Sequence, residues 1–152
     1  MHNIVISDAS VLIILSKIGK IEILKDVYST VLTTPEIANE FGEKIPEWIT
    51  ITEVIDKKYQ AFLETQVDLG EASAIALAKE LKKPLILLDD LKARKLANQL
   101  NLKITGTLGI IHKAKQLGII PVVKPIIEML LATDFRISKN IIKELLILNN
   151  EF

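Results

Sequence analysis

The feature that most limits how this chain can fold is an alternation. Short runs of branched apolar residues are separated by longer stretches with the period of a helix. Asn3–Ser7, Thr30–Thr33 and Lys103–Thr105 read as strands, and Leu85–Leu88 is the plainest internal one. Trp48–Val54, following Pro46, reads as an edge strand. Helices are predicted over Ser10–Lys17, Glu22–Tyr28, Asp56–Thr65, Gly70–Leu81 and Lys92–Leu100, and from Gly106-Thr107 to about Leu117. Thr34-Pro35-Glu36 is a strong helix start, with a capping hydroxyl, a proline at the first helical position and an acid facing the macrodipole. That helix should run to Phe41, before Gly42. Two more, near Val123–Ala132 and Ser138–Leu148, complete the pattern.

Strands that alternate with helices imply a parallel sheet covered on both faces. Right-handed crossovers then give an α/β fold, a three-layer α/β/α sandwich with a central parallel sheet. No repeat, low-complexity tract or Pro/Gly/Ser-rich linker divides the 152 residues, so one domain is expected, with a helical C-terminal extension from about residue 121. Apolar residues make up 49%, enough for a core without covalent staples. The absence of cysteine removes disulfides, thiol catalysis and cysteine-ligated zinc, and suits a reducing cytoplasm. The opening residues lack the basic flank of a signal peptide, and the apolar runs are too short to span a bilayer, so a cytosolic protein without membrane contact is expected. With 19 basic and 19 acidic residues there is no global attraction for nucleic acid. A nucleic-acid substrate would therefore rest on local contacts.

In open parallel sheets, sites form beyond the carboxyl ends of the strands. Asp8 follows the first strand, Asp89 and Asp90 follow Leu88, and Gly106-Thr107 follow Thr105. Crowded carboxylates resist ionising together, and a hard divalent cation with oxygen ligands resolves the conflict. Such a site suits phosphodiester chemistry, with Mg²⁺ or Mn²⁺ as the ion. Each acid also has a plainer account. Asp8 can cap the helix near Ser10, and Glu40 lies one turn after Glu36, as on a solvated helix face. Glu71 stands three residues after Asp68 in a capping-box arrangement; if that box forms, Glu71 turns back to the backbone and is lost to a metal. Of Asp89 and Asp90, one can cap the helix while the other faces the site, and the residues leave open which. No Gly-rich phosphate loop and no G-x-S-x-G elbow is present, and His2 and His112 each stand alone. Lys92, Arg94 and Lys95 form a basic cluster, either a solvated helix face or a contact for substrate phosphate.

Val5-Ile-Ser-Asp8-Ala-Ser10 resembles the opening strand and first acid of PIN-domain nucleases. Thr34-Pro-Glu-Ile-Ala-Asn-Glu40, Leu69-Gly-Glu71 leading an alanine-rich helix, and Leu87-Leu-Asp-Asp90-Leu-Lys-Ala-Arg94 are similar to the motifs that follow, in order, from about Ile4 to Leu117. A looser likeness extends to Asp134-Phe-Arg-Ile-Ser138. The Leu-Gly-Glu-Ala, Leu-Asp-Asp and Gly-Thr-Leu-Gly signatures are similar to a subfamily related to VapC-type toxins. The resemblance implies a metal-dependent endoribonuclease acting on single-stranded RNA with Mg²⁺ or Mn²⁺, often a homodimer, with an antitoxin protein as partner. Carried over, Asp8, Glu40, Glu71 and Asp90 form the acidic quartet, with Asp8, Asp90 and Glu71 as metal ligands and Asp89 as a further candidate. Asp90 is preferred to Asp89 because the family's acid lies two residues past a Thr, a position held here by Leu88. Ser10 and Thr107 become supporting hydroxyls, and Lys92, Arg94, and Lys113 or Lys115 contacts for flanking phosphates. Two departures stand out: Leu88 replaces the usual hydroxyl, and Glu71 stands where many relatives carry Asp. The alternative is a PIN-like module with weak or no catalysis that acts through a protein partner. An aspartyl phosphotransfer domain is disfavoured, since no acceptor Asp follows a third strand and Asp56 starts a helix instead.

Overall fold

The computed structural model describes residues 4–82 and 84–151. Asn3, the expected start of the first strand, and His2 lie outside the described residues. Strands β1 (Ile4–Ser7), β2 (Thr30–Thr33), β3 (Ile49–Ile51), β4 (Leu85–Leu87) and β5 (Lys103–Thr105) are joined by α1 (Ala9–Lys17), α2 (Glu22–Val27), α3 (Pro35–Phe41), α4 (Lys57–Leu63), α5 (Leu69–Glu80) and α6 (Leu91–Gln99). Helices α7 (Thr107–Gln116), α8 (Lys124–Leu131) and α9 (Lys139–Leu148) follow β5. Every element expected from the sequence is present, and the bounds move only at the ends. The largest change is at β3, shorter than Trp48–Val54 and at the sheet edge, as its ambiguous pattern suggested.

All strands are parallel, in the order β3-β2-β1-β4-β5. The chain therefore builds outward from β1 in one direction through β2 and β3, then returns to the other side of β1 to add β4 and β5. This reversal opens a crevice at the carboxyl ends of β1 and β4, where the two crossovers diverge. The register Ser7↔Leu87 places Asp8 opposite Leu88, and the Asp8 amide donates to Leu87 O at 3.0 Å. The acids that follow β1 and β4 are brought to the same crevice by strand pairing.

Helices flank the sheet. Helices α1, α3, α4 and α5 form one packed group, and α2 packs with α7 in a second. Helix α5 is buried along the whole run Gly70–Ala78. Its alanines fit this setting, because small side chains let α3, α4 and the sheet approach it closely. Helix α9 is split. Leu145 and Leu146 are buried, while Ile141, Ile147 and Leu148 stay exposed, so burial against the core accounts for only part of its apolar character. Among the described residues no helix is long and apolar enough to cross a membrane.

Candidate metal centre

Asp8 occupies the N-cap position of α1, yet its side chain makes no capping bond. It is 2% exposed, and its Oδ1 has no hydrogen-bond partner. The capping account of this residue therefore does not hold. Burial pushes the carboxyl up to about 7; the Ala9 amide works against the rise, while Glu71, Asp68 and Glu40 add to it.

Glu71 is the second perturbed acid. Burial is the main cause that carries it to about 7, opposed by its bond to the Asp68 amide and reinforced by Asp68, Asp90 and Glu40. The capping box forms: the Glu71 amide donates to Asp68 Oδ1 at 2.8 Å, and the Asp68 amide to Glu71 Oε1 at 3.2 Å. The condition that would turn Glu71 to the backbone is thus met for one of its oxygens. Glu40, on the last turn of α3, is shifted upward by burial and by Asp68. Asp68, assigned to capping alone by the sequence pattern, is therefore also a member of the acidic group.

Gly70 shows how closely these acids meet. A Cβ there would stand 3.0 Å from Glu40 Oε1 and 3.6 Å from Asp8 Oδ1. Two carboxylates from different elements converge on this position, and a side chain there would press on the Glu40 carboxylate. The glycine was visible in Leu69-Gly-Glu71, but its reason was not, because both neighbours arrive through the fold.

The Asp89-Asp90 pair divides. Asp90 is exposed and caps α6 by accepting from the Ala93 amide at 2.9 Å. It lines an open groove of about 350 Å³ with Asp68, Glu71 and Lys92. Asp89 turns the other way, accepting from the Thr107 amide at 2.8 Å and from Thr107 Oγ1 at 2.6 Å. Gly106, the N-cap of α7, has no side chain to offer, and Asp89 caps that helix in its place. Both acids are thus caps, and only Asp90 shares the crevice with Glu71.

The remaining candidates separate in the same way. Lys92 lies in the acidic groove, whereas Arg94 donates to Leu88 O at 2.8 Å and lines a neighbouring groove with Asp89, Phe135 and Arg136. Ser10 is exposed on the first turn of α1 and has no hydrogen bond to these acids. Thr107 serves Asp89 alone. Lys115 bonds Asn149 O and Glu151 Oε2, and His112 Nδ1 lies 3.1 Å from Asn149 Oδ1, so both are committed to the C-terminal segment. Lys113 lines a cavity with Tyr28 and Leu85 that holds none of the acids.

The ion pairs Lys17–Asp134, Lys25–Glu22, Lys57–Glu36 and Lys115–Glu151 lie elsewhere, while Lys92 lines the acidic groove beside Asp68, Glu71 and Asp90. Among the described residues no three acids stand close enough for a ready-made cage. The donors are all carboxylate oxygens, and the buried, unpartnered Asp8 Oδ1 lies where Glu40 converges. This set fits a hydrated hard cation held by a few carboxylates, since Mg²⁺ usually keeps several of its waters. A family model described as a PIN domain (DUF3368) matches residues 4–151, C-terminal helices included. No curated protein matches the chain.

Proposed function

The chain belongs to the PIN-domain family, and we propose that it is a metal-dependent ribonuclease hydrolysing phosphodiester bonds of single-stranded RNA. The observation that carries this reading is Asp8: a buried carboxylate with an unpartnered oxygen, at the crevice of the sheet, raised by burial and by the nearby acids Glu71, Asp68 and Glu40. Asp8, Glu40 and Asp90 would hold Mg²⁺ or Mn²⁺, with Glu71 through whichever oxygen the capping box leaves free. They would do so largely through the ion's own waters, since among the described residues no three acids stand close enough to ligate it together. When bound, the ion supplies charge neutralisation for the phosphate and an acidified water. Glu71, with one oxygen on the Asp68 amide, would orient the attacking water through the other. Lys92, which lines the groove with Asp68, Glu71 and Asp90, would meet a flanking phosphate.

The likeness to VapC-type toxins extends the reading to the toxin of a toxin–antitoxin pair, with a protein inhibitor and a homodimeric state. A second reading, a module that works through a protein partner without cleavage, draws on the Glu71 capping box and on the lack of a ready-made cage. Calorimetric Mn²⁺ titration of wild type and Asp8→Asn, with the same samples assayed on mixed RNA, separates the two. Binding and cleavage that vanish together in a folded Asp8→Asn support the ribonuclease. Unchanged cleavage in Asp8→Asn sinks it, and a wild type that binds no Mn²⁺ gives precedence to the partner-binding module.

A further inference from the structure

Helix α5 carries one feature that its packing does not require. Along the buried run Gly70–Ala78 every residue is apolar or glycine except Glu71 and Ser73. Alanine is the better helix former, and a serine hydroxyl in a helix interior competes for backbone groups. Ser73 is 0% exposed, so its hydroxyl also has to find partners away from water.

It finds two. Ser73 Oγ donates to Gly70 O at 2.7 Å and lies 2.6 Å from Thr34 Oγ1, which is equally buried. With the Ser73 proton committed to Gly70 O, the short contact is Thr34 donating to Ser73. Thr34 Oγ1 in turn accepts from the Ile37 amide at 3.1 Å, capping α3. The chain of bonds thus runs in one direction, from the first turn of α3 to the carbonyl of Gly70. Gly70 is the residue on which Glu40 from α3 and Asp8 from β1 converge, and its neighbours Asp68 and Glu71 form the capping box.

We infer that Ser73 is a positioning residue for the acidic crevice: joined to Thr34, it sets the spacing of α3 and the first turn of α5 at which Glu40 and Asp8 converge to hold one hydrated cation. The inference rests on the metal-dependent reading above. It names a side chain that touches neither substrate nor metal and acts through the carbonyl of Gly70.

The test is Mn²⁺ affinity measured by calorimetry well below the melting temperature, on wild type, Ser73→Ala, Thr34→Val, Thr34→Ser and Leu146→Ala. Leu146 is buried in α9 and serves as a control for lost stability. Ser73→Ala and Thr34→Val are expected to bind Mn²⁺ on the order of tenfold more weakly, the size usual for groups that orient metal ligands. Thr34→Ser, which keeps the hydroxyl, and Leu146→Ala should bind as wild type does. Thr34→Val reaches the same bond from its other end if Ser73→Ala fails to fold. Wild-type affinity in folded Ser73→Ala or Thr34→Val overturns the inference and leaves the metal reading intact. A wild type without Mn²⁺ binding overturns both.

Discussion

Asp8 and Glu71 are both held near 7, above the range of an unfolded chain, so the native state retains protons that the unfolded state has released. Their contribution to stability is complete below about pH 4 and is lost as pH rises through about 7. Metal-free protein is therefore expected to melt at a lower temperature at pH 8 than at pH 5, and thermal scans in chelator check this. Asp8→Asn should weaken that dependence and raise the melting temperature at pH 8 by roughly 2–4 °C for each kcal/mol recovered. Saturating Mn²⁺ should do the same for wild type, by binding the folded form alone. A variant that melts at a lower temperature than wild type at pH 8 in chelator would show that the Asp8 charge is compensated. At this scale the sequence was informative about position and silent about state. That Asp8 follows a strand can be read from Ile-Val-Ile-Ser-Asp; that it forgoes capping cannot, because the burial comes from α5 and the acids it carries.

Helix N-termini show where local reading stops. Thr34, Asp56, Asp68, Asp90 and Ser138 each cap their helix by accepting an amide three residues on, a spacing visible in any sequence. Helices α7 and α8 are capped from a distance, by Asp89 and by Glu151, and no spacing rule finds such caps. Glu151 accepts from the Val123 and Lys124 amides and from Lys115, joining α7, the start of α8 and the segment after α9. Burial tends to raise its carboxyl, but the Lys115 bond and the two amides outweigh this and hold it below its usual value. Its contribution is thus present above the unfolded pKa and is lost as pH falls through the lower, folded one. Glu151→Ala is expected to cost about 1–2 kcal/mol, the size of a lost cap, and to leave Mn²⁺ affinity unchanged. Denaturant melts at pH 7 measure the first, and unchanged stability would mean that water replaces the carboxylate without loss.

For the whole molecule, the alternation of strands and helices conveys a parallel sheet but not its order. Nothing in Leu-Ile-Leu says that β4 joins β1 and not β3, yet that choice brings Asp90 to the side of the sheet where Asp8 lies. Stability should be graded along the same lines. The central strands are closed on both sides, whereas α9 follows the irregular segment 134–138 and leaves Ile141, Ile147 and Leu148 in solvent. Hydrogen exchange is expected to reach 139–148 well before 5–7 and 85–87. Equal protection across these segments would mean that α9 unfolds only with the core.

The strand order also governs when the crevice comes into being. During synthesis Asp8, Glu40 and Glu71 are made before β4, and β1 meanwhile keeps an open edge toward its missing neighbour. Domains gain their structure as the chain emerges, at about 5–20 residues per second. At that rate the stretch from Glu71 to β4 takes about 1–3 s, during which most of the acids are made and there is no crevice to hold them. An unfinished chain thus lacks the crevice, and the length of that wait is set by the short run of residues between Glu71 and β4.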